Sequence, residues 1–492
     1  PVISANLPAL QVVLPLLCAP FCLLFRWSWF AYGTALIASW LAFGISIELL
    51  TMVLASGPIS YRLGGWAPPF GIEFVVDTVN AYVLLIVSAI GALVITFAKQ
   101  SVERELPIGK DGLFYTSYLL CLSGLLGVTI TGDAFNIFVF LEISSLSSYV
   151  LISLGRQPMA LTAAYRYLVL GTIGATFYLI GVGLLYQATG TLNISDLAVR
   201  VSELSDSRSV RAAFGFMTVG IGIKLALFPL HVWLPNAYAY APSVSSAFLA
   251  ATATKVSIYV LIRVFYTIFG PAFSFETLPL DWVLLPLAII AMFAGSVIAI
   301  FEVDVKRMLA YSSVAQIGYI ILGISLASVL GLTGGLLHLF NHALMKGALF
   351  LAMGCVFYRL GSVALSDLDG VGRRMPWTMA AFVIGGLSLI GIPLTAGFVS
   401  KFYLLWAALD LGLYWLVGLI LLSSLLAIIY VWRVIEVAYL REPPPGSDKV
   451  EAPLSLLLPT WALALANIYF GLDTRVSVGV AENAAKFLLG AN

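Results

Sequence analysis

The sequence predicts an all-α polytopic membrane protein: about 14 transmembrane helices, two inverted five-helix repeats and two proline-broken helices. Three observations lead there: the composition, the recurrence of long apolar runs, and three short motifs that return in the same order. Of 492 residues, 61% are hydrophobic and 10% charged, and mean hydropathy is +1.03. A soluble domain carries about 25% charged residues, so lipid must be the solvent for much of this chain. Its length would allow roughly three soluble domains but is better read as one helical bundle. A net charge of +1 argues against a nucleic-acid surface.

Runs long enough to cross a hydrocarbon layer of about 30 Å fall at 9–25, 29–55, 78–98, 112–131, 135–154, 163–188, 210–236, 243–269, 282–302, 306–329, 331–359, 376–409, 412–439 and 453–472. Residues 1–8 carry no positive charge, and the first run ends at Arg26 without a small-residue cleavage site, so it reads as a membrane helix rather than a signal peptide. Between the second and third runs, Pro58 to Asp77 is rich in Gly, Pro and aromatics and reads as an interfacial hairpin. The polar stretches 190–209 and 360–375 read as extramembrane loops. The expected divisions are 1–111 (three helices and the hairpin), 112–270 and 271–440 (the two repeats), and 441–492 (a last helix and tail).

Alternating the spans puts 13 of the 25 Lys and Arg residues, from Arg26 to Lys449 and including Lys306, in loops of one side, and 6 in loops of the other. The positive-inside rule makes the richer side cytoplasmic and both termini external, in a bacterial inner membrane. The other 6 lie inside spans: Lys224, Lys255, Arg263, Lys346, Lys401 and Arg433.

The repeat rests on order. Leu141-Glu142-Ile143-Ser144-Ser145 matches Leu309-Ala310-Tyr311-Ser312-Ser313; Gly174-Ala175-Thr176-Phe177 matches Gly347-Ala348-Leu349-Phe350; Pro229-Leu230 matches Pro393-Leu394. Each pair lies five spans apart, and an odd number of spans inverts one copy relative to the other. On this register Glu142 aligns with Ala310, leaving the second copy without an acid.

A charge at the bilayer centre costs from about 2.5 to over 10 kcal/mol, yet Glu142, Lys224, Lys255, Lys346 and Lys401 all stand well inside apolar runs. Glu48 in the second span is less central. Arg263 and Arg433 are near span ends, where snorkelling to the interface is the simpler reading. The four lysines are flanked by apolar residues on both sides. A lysine removed from water gives up its proton more readily, which suits a relay, and Glu142 is expected to pair with Lys224. A purely structural ion pair is the competing reading.

His338, His342 and Lys346 follow one another at i, i+4 and i+8 and so share a helix face; two imidazoles and an amine in a stripe can carry protons. H-x-x-x-H also ligates zinc, but no carboxylate or Cys nearby completes a metal site. His231 follows Pro229, where a broken helix frees backbone groups, and Pro393 is expected to act alike. Cys18, Cys22, Cys121 and Cys355 read as small apolar residues. No phosphate-binding loop, dinucleotide fingerprint or haem attachment motif is present, and no cofactor is expected.

Together these motifs resemble the antiporter-like subunits shared by respiratory complex I and the Mrp-type cation/proton antiporters. The resemblance is carried by Lys224-Leu-Ala-Leu-Phe-Pro-Leu-His-Val-Trp-Leu-Pro235, by Ala241-Pro242-Ser243 with Lys255 and Tyr259, by Asn341-His342-Ala343-Leu344-Met345-Lys346-Gly347, and by Gly391-Ile392-Pro393-Leu394-Thr395-Ala396-Gly397-Phe398 with Lys401. It runs from about Gly65 to Glu436 and is nearest the D-type subunits of the Mrp branch, without separating the chain from the N-type subunits of complex I. It implies that Glu142 and Lys224 form a proton-gating pair. Lys255 and Lys346, helped by the histidines, form a central axis, and Lys401 is the exit-side lysine. It also implies work inside a larger complex with subunits of A, B, C, E, F and G type, proton influx being coupled to Na⁺ efflux. A run of lysines repels cations, so H⁺ is expected here and Na⁺ elsewhere in the complex. A redox-driven module of complex I or of a membrane hydrogenase would use the same axis.

Overall fold

The computed structural model describes residues 2–25 and 27–491; Arg26, counted above at the basic-rich end, lies outside them. Without water to satisfy them, backbone groups in lipid must bond within their own segment, and the apolar runs are accordingly helical. They are α1 (Leu7–Leu24), α2 (Ser28–Ser56), α3 (Thr78–Glu105), α4 (Asp111–Ile130), α5 (Ala134–Ser153), α6 (Pro158–Thr189), a short α7 (Ile194–Glu203), α8 (Arg208–Lys224), α9 (Leu234–Tyr240), α10 (Ser243–Ile262), α11 (Asp281–Phe301), α12 (Val305–Ser325), α13 (Val329–Leu360), α14 (Pro376–Ile390), α15 (Ala396–Asp410), α16 (Tyr414–Ile435), α17 (Leu454–Leu472) and α18 (Arg475–Leu489). π-helical turns extend α10 to Ile268 and α16 to Leu440. Among the described residues twelve helices are long and apolar enough to cross a membrane. The pairs α8/α9 and α14/α15 are half-helices that stand where the seventh and twelfth spans were expected.

The expected hairpin is a two-stranded antiparallel ribbon, β1 (Ile59–Arg62) on β2 (Glu73–Val76), with Ile59 opposite Val76 and Arg62 opposite Glu73. Two stretches expected as loop or tail are helices. Within 190–209, α7 buries Ile194, Leu197 and Val201 on one face. In the tail, α18 buries Val480, Ala481, Ala484, Ala485 and Leu488 and packs on α13 and α3.

Both broken segments part before their prolines rather than at them. The seventh is helical to Lys224, turns through left-handed Ala226 (φ 62°), and resumes at Leu234. The twelfth stops at Ile390, passes left-handed Gly391 (φ 91°) and Leu394 (φ 74°), and resumes at Ala396. A proline lacks the N–H that a helix needs from it, so the last regular turn closes upstream.

Several landmarks recur in the two halves. Asp133 caps α5 through the Asn136 N–H at 2.7 Å, and Asp304 caps α12 through the Arg307 N–H at 2.9 Å. Helices α6 and α13 are both 32 residues long. They end at left-handed Gly190 (φ 73°) and Gly361 (φ 72°). Asp133 then bridges to Asn193, and Asp304 to Ala364. Counted from these caps, Glu142 falls opposite Ser313 and Ser145 opposite Gln316, not opposite Ala310 and Ser313 as the short motifs suggested.

Burial identifies the centre. The most hydropathic windows of α10 and α12 are 94% enclosed by protein, against 39% for those of α1, α2, α11 and α17. The lysine-bearing α10 and its neighbour α12 therefore run through the middle of the bundle, the lysine-bearing α13 is 78% enclosed beside them, and the outer helices meet lipid or other chains.

Candidate functional site

Lys224 is the last residue of α8. Gly174 and Gly220 let that helix lie against α6: a Cβ on Gly220 would come within 2.5 Å of the Gly174 carbonyl, and one on Gly174 within 2.8 Å of the Gly220 carbonyl. The Lys224 Nζ donates to Ser145 Oγ at 2.6 Å and stands 3.5 Å from Glu142 Oε1. Its side chain is 2% exposed and that of Glu142 is 24%, so the pair joins an enclosed amine to a carboxylate nearer the outer surface. The expected Glu142–Lys224 contact is present in the structure, with Ser145 as a third member.

Lys255, midway along α10, is fully enclosed and donates to the Ala250 carbonyl at 2.5 Å, with Thr254 Oγ1 at 3.5 Å. On α13 the Lys346 ammonium donates to the Leu309 carbonyl at 2.7 Å and to Ser312 Oγ. Neither lysine has a carboxylate within ion-pair distance among the described residues. Hydroxyls and carbonyls favour the ammonium less strongly than a close carboxylate would.

The i, i+4 stripe of α13 forms as expected. The rings of His338 and His342 are stacked, with centres 6.2 Å apart and planes within 2° of parallel. His338 is fully engaged, Nε2 with Gln316 Oε1 at 2.7 Å and Nδ1 with Ser400 Oγ at 2.8 Å. Both ring nitrogens of His342 are buried without a partner among the described residues, as is Asn341 Oδ1. Since Gln316 Oε1 can only accept, it takes a hydrogen bond from His338 Nε2–H, while Nδ1 faces the Ser400 hydroxyl, which also reaches the Gly397 carbonyl at 3.2 Å. Gln316→Leu is therefore expected to replace this Nε2–H form by a mixture, read by ¹⁵N NMR of labelled imidazole; an unchanged Nε2–H signal would show that Gln316 does not set it.

Lys401 stands in the first turns of α15 and reaches back to the last carbonyls of α14, Leu389 at 3.1 Å and Ile390 at 3.0 Å. Those carbonyls are orphaned by the helix break and form the negative end of the half-helix dipole. The Lys401 ammonium also lies 4.7 Å from the Tyr319 ring centre, and Tyr319 donates to Ser423 at 2.9 Å. His231, in the turn after Pro229, stacks on Phe228 at 5.1 Å, and its buried Nδ1 has no partner among the described residues. It is the site residue least tied to the rest.

Sequence reasoning missed Ser145, Ser312, Gln316, Tyr319 and Ser400. A signal existed for three of them: Ser312, Gln316 and Tyr319 follow at i, i+4 and i+7 on α12, a polar stripe in an otherwise apolar helix. The snorkelling expected of Arg263 is also corrected. Its guanidinium is 6% exposed and donates to Asp77 Oδ2 at 2.5 Å and to Tyr259 Oη at 2.8 Å. Arg433 remains half-buried at the end of α16, donating to the Ile300 carbonyl and, at 3.1 Å, to that of Glu302. Glu48 is exposed on the outer face of α2. Beside the spans, burial raises the Asp133 and Asp304 carboxyls above the usual range, opposed by the backbone N–H groups that each one caps.

Residues 131–427, which hold the whole file from Glu142 to Lys401, match the family described as NADH:quinone oxidoreductase/Mrp antiporter, TM. The chain belongs to this family. It is 43% identical to the N-type subunit of the NADH-quinone oxidoreductase of Desulforudis audaxviator, over 95% of this chain and 96% of that one. It is 32% identical to the D-type Na⁺/H⁺ antiporter subunit of Alkalihalophilus pseudofirmus, over 95% and 94%. A solved structure of the Mrp complex from Dietzia sp. DQ12-45-1b superposes with a TM-score of 0.90 at 27% identity, covering 99% of this chain and 98% of that one. A membrane-bound sulfane sulfur reductase, an archaeal respiratory complex, gives a TM-score of 0.90 at 30% identity, covering 98% of each chain. The family and the helices together make the chain a multi-pass membrane protein.

Proposed function

We propose that the chain is the proton-translocating subunit of a multisubunit Na⁺ (monovalent cation)/H⁺ antiporter and carries H⁺ along Glu142, Lys224, Lys255, Lys346 and Lys401, with His231, His338 and His342 assisting. The observation that carries this reading is the enclosed Lys224 at the end of a half-helix, between Glu142 and Ser145. It is the first member of a file of amines held by hydroxyls and carbonyls. Such an amine can take a proton from one neighbour and pass it to the next.

The two halves, 112–270 and 271–440, are read as inverted copies, supported by the matched caps, equal helix lengths and matched bridges. The basic-rich loops put that end in the cytoplasm of a bacterium and both termini outside. Partners would be antiporter subunits of A, B, C, E, F and G type together with the lipid bilayer; similarity to chains of multisubunit complexes supports such an assembly. Na⁺ would cross elsewhere, since the file carries four amines and one acid.

A second reading, a proton-pumping subunit of a redox-driven complex, is favoured by the 43% identity to an N-type oxidoreductase subunit; the chain would then be classed with a translocating oxidoreductase. Ion flux in vesicles holding the full complex separates the two, with Na⁺ and pH gradients imposed in turn. Proton uptake driven by an Na⁺ gradient is the expected result. Proton movement that needs quinone reduction and ignores Na⁺ would replace the first reading by the second.

A further inference from the structure

An apolar groove lies behind the proton file, and no side chain among the described residues fills it. It holds about 320 Å³ between α2, α3, α13 and α17, and every residue along it is aliphatic or aromatic. The helices give its direction. Phe43, Leu93, Leu344 and Leu463 line the end towards the basic-rich side, and Ile47, Leu85, Phe340 and Phe470 line the other end. Leu85 and Leu93 are eight residues apart on α3, so the groove runs about 12 Å along that helix. A cavity without polar lining stays dry. Its rim faces lipid, where Ile47 is 44% exposed.

The end away from the basic-rich side comes close to the bilayer surface. Ser46 accepts from Gln11 Nε2 at 2.7 Å, and Gln11 lies in the second turn of α1. Glu48, two residues further along the antiparallel α2, is therefore level with the first turn of α1, exposed beside Ile47. On the facing wall, α17 ends two residues past Phe470, at Leu472, and Asp473 and Arg475 follow, paired at 2.7 Å. Two carboxylates and one guanidinium thus stand at the ends of two walls of a dry slot. The slot suits a hydrocarbon tail, and the excess of acid suits a head that brings an ammonium. The floor of the groove is Phe340, Ala343 and Leu344, on the face of α13 opposite to His338, His342 and Lys346. A tail in the groove packs against the back of the helix that carries the histidine stripe.

We propose that this groove binds one acyl chain of an amine-headed phospholipid, of the phosphatidylethanolamine class, from the leaflet away from the basic-rich end, with Glu48 facing its ammonium. The bound tail completes the packing behind α13 and so stabilises the folded complex. Neither the binding nor the stabilisation depends on the proton path proposed above.

The test uses the assembled complex in nanodiscs and a phosphatidylethanolamine whose tail carries a photoreactive diazirine. Illumination is expected to label peptides holding residues 85–93 and 463–470. Phosphatidylglycerol with the same tail is expected to label them about threefold less, a difference that Glu48→Gln removes. Ala466→Phe puts a ring into the groove and is expected to abolish the labelling; Ala89→Phe, from α3, serves the same purpose if the first variant fails to assemble. Adding phosphatidylethanolamine to the delipidated complex in detergent is expected to raise Tm by about 2 °C more in the wild type than in a filled variant, where the ring already takes the place of the tail. Labelling that persists in the filled variants overturns the site. So does labelling of another subunit's helix in its place, which would make the groove a protein interface. Equal labelling by the two headgroups overturns the amine-headed lipid as occupant, and an equal rise in Tm with and without the ring overturns the support of α13.

Discussion

Lys224→Met is expected to lower coupled proton flux by about a hundredfold or more in vesicles holding the assembled complex, the usual weight of a positioned proton-transfer group. The amine is held on one side by Ser145 at 2.6 Å and on the other faces Glu142 at 3.5 Å. Methionine fills its volume but neither takes nor gives a proton. The informative companion is Lys224→Arg. A guanidinium keeps the positive charge and the contact with Glu142, yet does not release its proton in a protein. If Lys224 carries protons, the arginine variant loses flux as the methionine variant does. If it only offers a fixed charge to Glu142, the arginine variant transports at the wild-type rate, and the proton path must begin elsewhere. Assembly of both variants is checked by native gel, since Met also leaves Glu142 without its cation.

Much of this was legible in the sequence because membrane burial makes charge conspicuous. Lys224, Lys255, Lys346 and Lys401 interrupt apolar runs, and the one central acid had one obvious partner. A serine can satisfy its hydroxyl on its own helix and carries no alarm, so Ser145 and Ser400 were invisible until α5 and α15 packed into the bundle. The Asp77–Arg263 pair joins residues 186 positions apart, and nothing local announces it. The serine-rich motifs set a register about three residues away from the one marked by the caps, because Asp133 and Asp304 begin their helices while the side chains inside are free to differ. Helices α7 and α18 read as loop and tail because each is short and polar on its outer face, and only the i, i+3, i+7 set of Ile194, Leu197 and Val201 betrays the first.

The other large effect expected is on stability. Arg263→Met should destabilise the protein by about 3–5 kcal/mol, because it leaves the Asp77 carboxylate enclosed without its cation. Asp77 is 5% exposed in its side chain and also caps α3, accepting from the N–H groups of Val79 and Asn80 at 3.0 Å. Asp77→Asn keeps an oxygen for those caps but strands the guanidinium, and a loss of similar size is expected. The double variant, Asp77→Asn with Arg263→Met, removes both charges together and should return to within about 1 kcal/mol of the wild type, as replaced buried ion pairs do. Thermal unfolding of the purified complex in nanodiscs reads all three. Additive losses in the double variant would mean that the two residues stabilise the fold separately rather than as a pair. The cycle also bears on transport. Arg263 follows Lys255 by eight residues at the end of the same helix, and Tyr259, to which it bonds at 2.8 Å, lies between them. A double variant that is stable yet slow would show that the charges themselves, and not only the anchoring of α10, matter to the proton file.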